Sequence, residues 1–346
     1  MIAALAAASA LPASTAPAQA KHTKRAKQTK RKKASRRYVD RVRLNRGARY
    51  AGGPLARKPK PQATATPTPA PSSGSVLWKA DASAPLAQEW ASLNTPGFCN
   101  GSVTKSGLGT APYIVQRPDG PGGRGAYHFM SDSTAVCPGD SVRSELGQGN
   151  PTKSGSPSRL FNEGLDAWIS FQVYLPDDLS ITPRTTDGSE PWQLIAQWKQ
   201  LGSLGTPTLA MHVEKGKIGL FQSDTNDGAS RVATPMTDAN GVDSEVPAVR
   251  NRWLRFTLHV VFSPSAAKGL VEWYGDLDGN GVRRLWPTSP APHRTYTMKV
   301  GADGETVPSH ARIGIYRNKL IAGVSHLAIA GYTVATNRAA AEATAF

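Results

Sequence analysis

The chain has 346 residues, with 41 Lys and Arg against 25 Asp and Glu and a formal net charge of +16. Residues 21–60 hold 17 of those cations and one acid, Asp40, so they carry 17 − 1 = +16, while residues 61–346 carry 24 − 24 = 0. The basic isoelectric point therefore excludes nothing about the folded part and belongs to one segment. Beyond the first twenty residues no stretch is long and apolar enough to cross a bilayer as a helix.

The chain opens on small and apolar residues, "MIAALAAASALPASTAPAQA", ending in Ala-Gln-Ala. This is the pattern of a secretory signal peptide cleaved after Ala20, although no basic residue precedes the apolar run. Residues 21–60, with runs such as "KHTKRAKQTKRKKASRR", repel themselves and lack a core-forming pattern. We expect a disordered basic tail. Residues 61–75 read as a Pro/Thr/Ala-rich linker, extended and semi-rigid. Residues 76–346 are long enough for one large β domain. They hold both cysteines, Cys99 and Cys137, and behind an export signal two cysteines suggest one disulfide.

Within that domain short alternating runs replace helical periodicity. "LDAWISFQVYLP" sets Ala167, Ile169, Phe171 and Val173 against Trp168, Ser170, Gln172 and Tyr174. "PTLAMHVE" and "GKIGLFQS" flank a Lys-Gly turn and read as a hairpin. "RWLRFTLHVVF" alternates through Leu254, Phe256, Leu258 and Val260. "GLVEWYG" and "VRRLWP" flank "DLDGNG", a second hairpin. "HRTYTMKVG", "ARIGIYR" and "VSHLAIAGYTVA" complete the predicted strands. Many short strands bounded by Gly, Pro, Asn and Asp argue for an all-β, antiparallel two-sheet sandwich of jelly-roll type. Asp276, Asp278, Asn280 and Gly281 also match the start of a calcium loop. Its twelfth position would be Pro287 rather than an acid. A turn explains the same letters, and no cofactor is expected.

Three stretches carry residues suited to chemistry. "VRSELG" offers Arg143 and Glu145, and "WQLIAQWKQ" offers Gln197 and Lys199, two apart and hence on one strand face. In "ARIGIYRNK" the apolar Ala311, Ile313 and Ile315 alternate with Arg312, Gly314 and Tyr316. A strand face carrying a cation and a phenol is a poor core face. In this order the three stretches resemble the alginate-lyase, glucuronan-lyase and heparin-lyase-I-like group of polysaccharide lyases. Those families carry an Arg-Ser/Thr-Glu segment, a Gln-X-His segment and a late Gly-X-Tyr strand. The resemblance covers most of residues 76–335 and implies a concanavalin-like β-jelly roll, in agreement with the strand pattern. The chain departs from the family at two places. Lys199 stands where the family has His, and Gly147 stands where alginate lyases close Arg-Ser-Glu-Leu-Arg.

The resemblance implies β-elimination on a uronic-acid polysaccharide. Such a lyase takes the proton at C5, beside a carboxylate, and expels the sugar linked through O4. The carboxylate must be neutralised so that charge can spread into it. Arg143 and Gln197 suit that task, with Tyr316 as acid, or as acid and base together. Lys199 qualifies as base only if burial or cations depress its pKa, with His212 as an alternative. Glu145, Trp198, His212, Arg312, Arg317 and Lys319 are the candidate substrate-binding residues around them. The competing readings are a non-catalytic, lectin-like carbohydrate-binding jelly roll and a glycoside hydrolase, which would need paired carboxylates that the strands do not show. For the basic tail, Tyr38 and Tyr50 without a folded reader module argue against nucleic acid. An anionic cell envelope or the acidic polymer itself is the expected partner. The signal implies a secreted, extracellular protein.

Overall fold

The computed structural model describes residues 74–346, apart from 96–97, 103–112, 136–140, 150–158, 203 and 228–231 and the side chains of 98–102 and 141. The described residues fall within one compact unit, Thr68–Phe346. The expected signal peptide, basic tail and nearly all of the expected linker lie outside the described residues, and so does the expected Cys99–Cys137 disulfide. Strand order along the chain is β1 (Val76–Lys79), β2 (Ser92–Thr95), β3 (Phe98–Ser102), β4 (Ile114–Arg117), β5 (Ala126–Asp132), β6 (Ser141–Gly147), β7 (Asp166–Tyr174), β8 (Gln193–Gln200), β9 (Leu209–Glu214) and β10 (Lys217–Ser223). There follow β11 (Ala233–Pro235), β12 (Glu245–Pro247), β13 (Trp253–Val261), β14 (Leu270–Asp276), β15 (Arg283–Trp286), β16 (His293–Arg294), β17 (Lys299–Val300), β18 (Thr306–Val307), β19 (Ser309–Asn318) and β20 (Val324–Ala335). Among the described residues two α-helices, α1 (Leu86–Glu89) and α2 (Arg338–Ala345), and one 3-10 turn at Pro121–Gly123 interrupt the pattern.

The strands form two large antiparallel sheets. The first runs β15-β14-β13-β7-β20-β5-β4, with β1 on β20 and β16 on β14. The second runs β11-β10-β9-β8-β19-β6-β2-β3, with β12 on β10. Neighbours that are distant in sequence, such as β6 beside β19 and β5 beside β20, are the crossovers of a jelly-roll sandwich. The alternation read in the sequence sorts side chains as expected. Ala167, Ile169, Phe171 and Val173 of β7 and Leu254, Phe256, Leu258 and Val260 of β13 are buried between the sheets. From the opposing sheet Met211 and Val213 of β9 and Ala311, Ile313 and Ile315 of β19 meet them.

An aromatic cluster fills one end of the core. Trp78 lies 5.3 Å from Trp90 and 5.2 Å from Tyr332 between ring centroids, and Phe171 stacks on Tyr332 at 5.7 Å. Trp198 Nε1 donates to the Tyr332 hydroxyl at 3.1 Å, joining the two sheets by a buried polar contact. Burial pushes the Tyr332 phenol up, so it remains a neutral partner. Each such aromatic contributes about 1.5–3 kcal/mol by leaving water.

The turns follow their residues. Lys215 and Gly216, both at positive φ (52° and 77°), make the two-residue β9–β10 hairpin, where glycine takes the left-handed position without a Cβ penalty. "DLDGNG" joins β14 to β15, and its carboxylates are spent on its own backbone: Asp276 Oδ1 accepts from Asp278 N and Gly279 N at 3.2 and 2.6 Å. One strand expectation fails. "HRTYTMKVG" is not a continuous strand but two short pieces, β16 and β17. Its threonines bond to distant segments instead: Thr297 Oγ1 donates to Val261 O at 2.7 Å and accepts from Ser263 N at 2.8 Å, and Thr295 Oγ1 donates to Gln222 Oε1 at 2.9 Å. At the chain end, Asn337 caps α2 by accepting from Ala340 N at 2.9 Å. The helix then packs on the outer face of the first sheet, where Gln172 Nε2 donates to Ala345 O at 2.8 Å. Among the described residues no helix is long and apolar enough to cross a membrane.

Candidate active site

The site is built on three adjacent strands of the second sheet, with β19 between β6 and β8. Because Ala311, Ile313 and Ile315 point into the core, His310, Arg312 and Tyr316 point away from it. Register then decides which neighbours they meet. Tyr316 stands opposite Arg143, Gly314 opposite Glu145, and Arg312 opposite Gly147 on β6. On the other side Arg312 stands opposite Gln197, and His310 opposite Lys199, on β8.

Gly314 opens the middle of this arrangement. Its φ is +127°, and a Cβ there would lie 2.1 Å from Ser144 O and 2.9 Å from Glu145 Cα. Only glycine fits that position. A register shift between β19 and β8 falls at the same place, between Ile313 and Tyr316. With no side chain on Gly314, the side chains of Glu145 and Gln197 reach each other from opposite sides of β19. Gln197 Nε2 donates to Glu145 Oε1 at 2.5 Å.

Three cations gather around this pair. Glu145 Oε2 lies 3.9 Å from both Arg143 Nη1 and Arg312 Nη1, and the carboxylate side chain is 2% exposed. Lys199 is the third cation. Burial, then Arg312 and Arg143, push its ammonium down to about 8, with Glu145 opposing them. Its Nζ donates to Gly205 O at 3.2 Å. Burial also lowers the Arg312 guanidinium, with Glu145 opposing the shift and Arg143 adding to it. His310 is 2% exposed and is pushed down to about 3 by burial, then by Arg312 and Lys199. It is neutral at any ordinary pH.

The phenol of Tyr316 is held from two sides. The Arg143 guanidinium carbon sits 3.7 Å over its ring, and Trp192 meets it edge-on at 4.7 Å. Among the described residues no group of three or more His, Cys, Asp or Glu side chains is placed to hold a metal ion.

A model of the polysaccharide lyase family matches residues 107–336, which is 230 of the 346 residues. The chain belongs to the polysaccharide lyase family. It is a polysaccharide lyase in the activity that family performs, and its substrate is a polysaccharide. Among solved structures the lyase is similar to an endo-beta-1,4-glucuronan lyase from the fungus Trichoderma reesei, at 12% identity over 76% of this chain and 96% of that one, with a TM-score of 0.48. It is also similar to the alginate lyase A1-II′ of polysaccharide lyase family 7, at 15% identity over 72% and 92% of the two chains, TM-score 0.41. A third is the catalytic domain of a glycoside hydrolase family 131 protein from Coprinopsis cinerea, at 12% identity over 71% and 81%, TM-score 0.39. No curated protein matches the chain.

Of the residues singled out in the lyase sequence, Arg143, Glu145, Gln197, Lys199, Arg312 and Tyr316 come together on one face. Within that group Glu145 and Gln197 form a buried layer, at 1% exposure each, beneath the more open cations. Glu145 is thus a support for the cations and not a surface contact. Two others face the wrong way. Trp198 is fully buried in the core on Tyr332, because the period of two that puts Gln197 and Lys199 outward puts the residue between them inward. Arg317 is fully buried by the same parity and donates through Nη1 to Ser325 Oγ at 2.7 Å and through Nη2 to Gly323 O at 2.5 Å. Neither can touch a sugar on the outer face. Lys319 lies in the exposed turn after β19.

His212 lies on the site face, in the same cross-strand row as Tyr316, with Leu194 between them. Its ring is stacked on Phe221 at 4.0 Å and burial pushes its pKa down, against Glu214 at 3.6 Å. The residue missed in the sequence is His310. Its signal was available, since it lies two residues before Arg312 on the same polar face. The two departures from the family pattern are both answered across β19: Gly147 faces Arg312, and Lys199 faces His310.

Proposed function

We propose that the lyase is a secreted enzyme that cleaves a uronic-acid polysaccharide by β-elimination on the outer face of β6, β19 and β8. The observation that carries this reading is the gathering of Arg143, Arg312 and Lys199 around the buried Glu145 on one sheet face, beside Tyr316. Burial and mutual repulsion depress Arg312 and Lys199 together. A sugar carboxylate docked against Arg312 and Arg143 offsets the repulsion between the two guanidinium groups.

In this mechanism Arg143 and Arg312 bind the uronate carboxylate and stabilise the charge that develops on it when C5 loses its proton. Gln197 and Glu145 hold the two guanidinium groups apart and in place. The neutral amine of Lys199, available because its pKa is about 8, takes the C5 proton. The C5–H electron pair becomes the double bond between C4 and C5. The bond from C4 to the bridging oxygen breaks, and the Tyr316 hydroxyl supplies the proton that this oxygen needs. In register, Lys199 lies five residues along β8 from Leu194, the partner of Tyr316, or about 16 Å of strand. Two long side chains reaching inward from either end of that span leave room for one sugar ring. The basic tail holds the enzyme on its polyanionic substrate or on an anionic envelope.

The test is incubation with glucuronan, alginate and heparin, followed by ultraviolet absorbance of the unsaturated end and the mass of the products. Unsaturated oligosaccharides from a uronate polymer are the expected result. Saturated products, or tight binding without cleavage, would reject it in favour of hydrolysis or a lectin.

A further inference from the structure

His310 occupies a position that the elimination chemistry does not call for. It is 2% exposed and sits on the polar side of β19 under the backbone of Gly149, where a Cβ would lie 2.3 Å from the imidazole Cγ. Its Nε2 lies 3.0 Å from Arg312 Nε. A guanidinium can only donate, so Nε2 is the bare nitrogen and the ring proton is on Nδ1. Nδ1 has no hydrogen-bond partner among the described residues. The contact to Arg312 is what this tautomer secures.

The rest of Arg312 shows what that contact does. Its stem lies over Gly147, where a Cβ would come within 3.3 Å of Arg312 Cγ, and its Nη1 reaches to 3.9 Å from Glu145. The guanidinium is therefore fixed at Nε by His310 and steered at Nη1 by Glu145. The arginine keeps 11% of its side chain exposed, on the face that Tyr316 and Arg143 share. A planar fork held at two points presents its remaining N–H groups in one orientation, which is what bidentate recognition of a carboxylate needs.

We propose that His310 is a positioning residue that, as a neutral acceptor, locks the Arg312 guanidinium into the orientation that binds the substrate carboxylate. The inference rests on the uronate reading of the site, and names a residue through which that reading is realised. His310 itself does not touch the sugar.

The test uses the full chain and four variants. His310→Leu removes the acceptor. His310→Gln places an oxygen close to where Nε2 stands. Arg312→Lys keeps the charge but loses the Nε–H, and Arg312→Met removes both. On the polymer that the wild type cleaves, His310→Leu and Arg312→Lys should each lower kcat/KM by about ten- to a hundredfold, the span of one hydrogen bond to a charged group. The loss should be shared between KM and kcat, since Arg312 both binds the carboxylate and stabilises its developing charge, and His310→Gln should recover to within about threefold of the wild type. In the Arg312→Met background, His310→Leu should cost less than about twofold. An equal cost of His310→Leu in both backgrounds would show a merely structural histidine and overturn the inference. If His310→Leu fails to fold, the Gln and Lys variants decide it alone: loss in Gln as deep as in Lys overturns it. Nitrogen NMR of histidine-labelled protein tests the contact without any turnover. An unprotonated Nε2 in the wild type, lost in Arg312→Met, supports it, and a protonated Nε2 overturns it. Should the wild type cleave no uronate polymer, the uronate reading fails while the tautomer still decides the His310–Arg312 contact.

Discussion

Two charged clusters sit on the two outward faces of the sandwich, and they are built on opposite principles. On the first sheet, His259 of β13 stacks on Trp168 at 4.1 Å, with Nδ1 2.7 Å from Glu272 and Nε2 2.8 Å from Asp166. Arg284 Nη2 donates to the same Glu272 at 2.8 Å. Two cations meet two carboxylates. Burial alone would lower the imidazole, but the hydrogen bonds to Glu272 and Asp166 outweigh it and raise its pKa. On the second sheet three cations meet one carboxylate, and Lys199 and Arg312 are lowered. The first cluster is complete by itself and serves the fold. The second holds cations whose charged forms are disfavoured, which is the feature behind the binding site proposed above.

The comparison breaks most visibly at Tyr316. Tyr316→Phe keeps the ring under Arg143 and beside Trp192, so the melting temperature should stay within a degree or two. Turnover should fall at least about a hundredfold, the usual contribution of a general acid. Near-normal turnover of the Phe variant would remove the phenol from the mechanism.

Lys199→Met tests the cost itself. A lysine held at about 8 instead of its ordinary 10.5 opposes folding by on the order of 3 kcal/mol at neutral pH. The sign follows from the lowered value: the folded state repels the proton, so stability is poorest below pH 8 and improves as pH rises toward the unfolded pKa. Lys199→Met should therefore be more stable than the wild type in urea at pH 7, and gain nothing near pH 11. It should also lose turnover. In the wild type kcat/KM should rise with pH through about 8, as the amine becomes able to accept a proton, and that limb should vanish in the Met variant. A limb that survives there would leave proton abstraction to Tyr316 alone.

His259→Gln should behave in the opposite way. The raised imidazole stabilises the folded chain fully below about pH 6.5, the unfolded value, and less as pH rises through the higher folded value. The variant should lose about 1–2 kcal/mol at pH 5.5. At pH 9 it should lose little, with turnover unchanged throughout. A drop in turnover would couple the two faces and undo the contrast between them.

The smallest effect on chemistry is expected from removing residues 1–75. The remaining domain is close to neutral, so turnover on short oligosaccharides should be unchanged. The salt dependence of binding to long polyanions should flatten, because the excess cations whose counterions are released are gone. Equal salt slopes for the two proteins would show that the tail does not engage the polymer.

The two clusters also differ in how far they could be read from the sequence. Parity along one strand was legible: "ARIGIYR" placed Arg312, Gly314 and Tyr316 on one face, and the structure agrees. The same parity already condemned Trp198 and Arg317 and already pointed to His310. Trp198 and Arg317 have residue types suited to a sugar, but their place in the period of two sets them inward. Pairing was not legible. Nothing local says that Arg312 faces Gln197, or that Glu145 crosses over Gly314 to reach it. Such neighbours are chosen by tertiary packing between strands more than a hundred residues apart, and by a register shift that one glycine permits. The His259 cluster escaped notice for the same reason, since Asp166, His259, Glu272 and Arg284 come from four strands.

The position of β19 and β20 in the sheets has a consequence for how the chain is made. β19 is the strand that joins β6 to β8, and β20 is the strand that joins β5 to β7. Both follow every other described strand along the chain. Until residue 309 has emerged, each sheet exists at most as two halves with raw hydrogen-bonding edges facing an unfilled slot. Half of the candidate site, with Tyr316, Arg312 and His310, is missing from such a chain. Folding must wait for long-range pairing at the C-terminal end, which makes it slow and exposes those edges to pairing with other chains. The same delay keeps the growing polypeptide incapable of attacking any polymer.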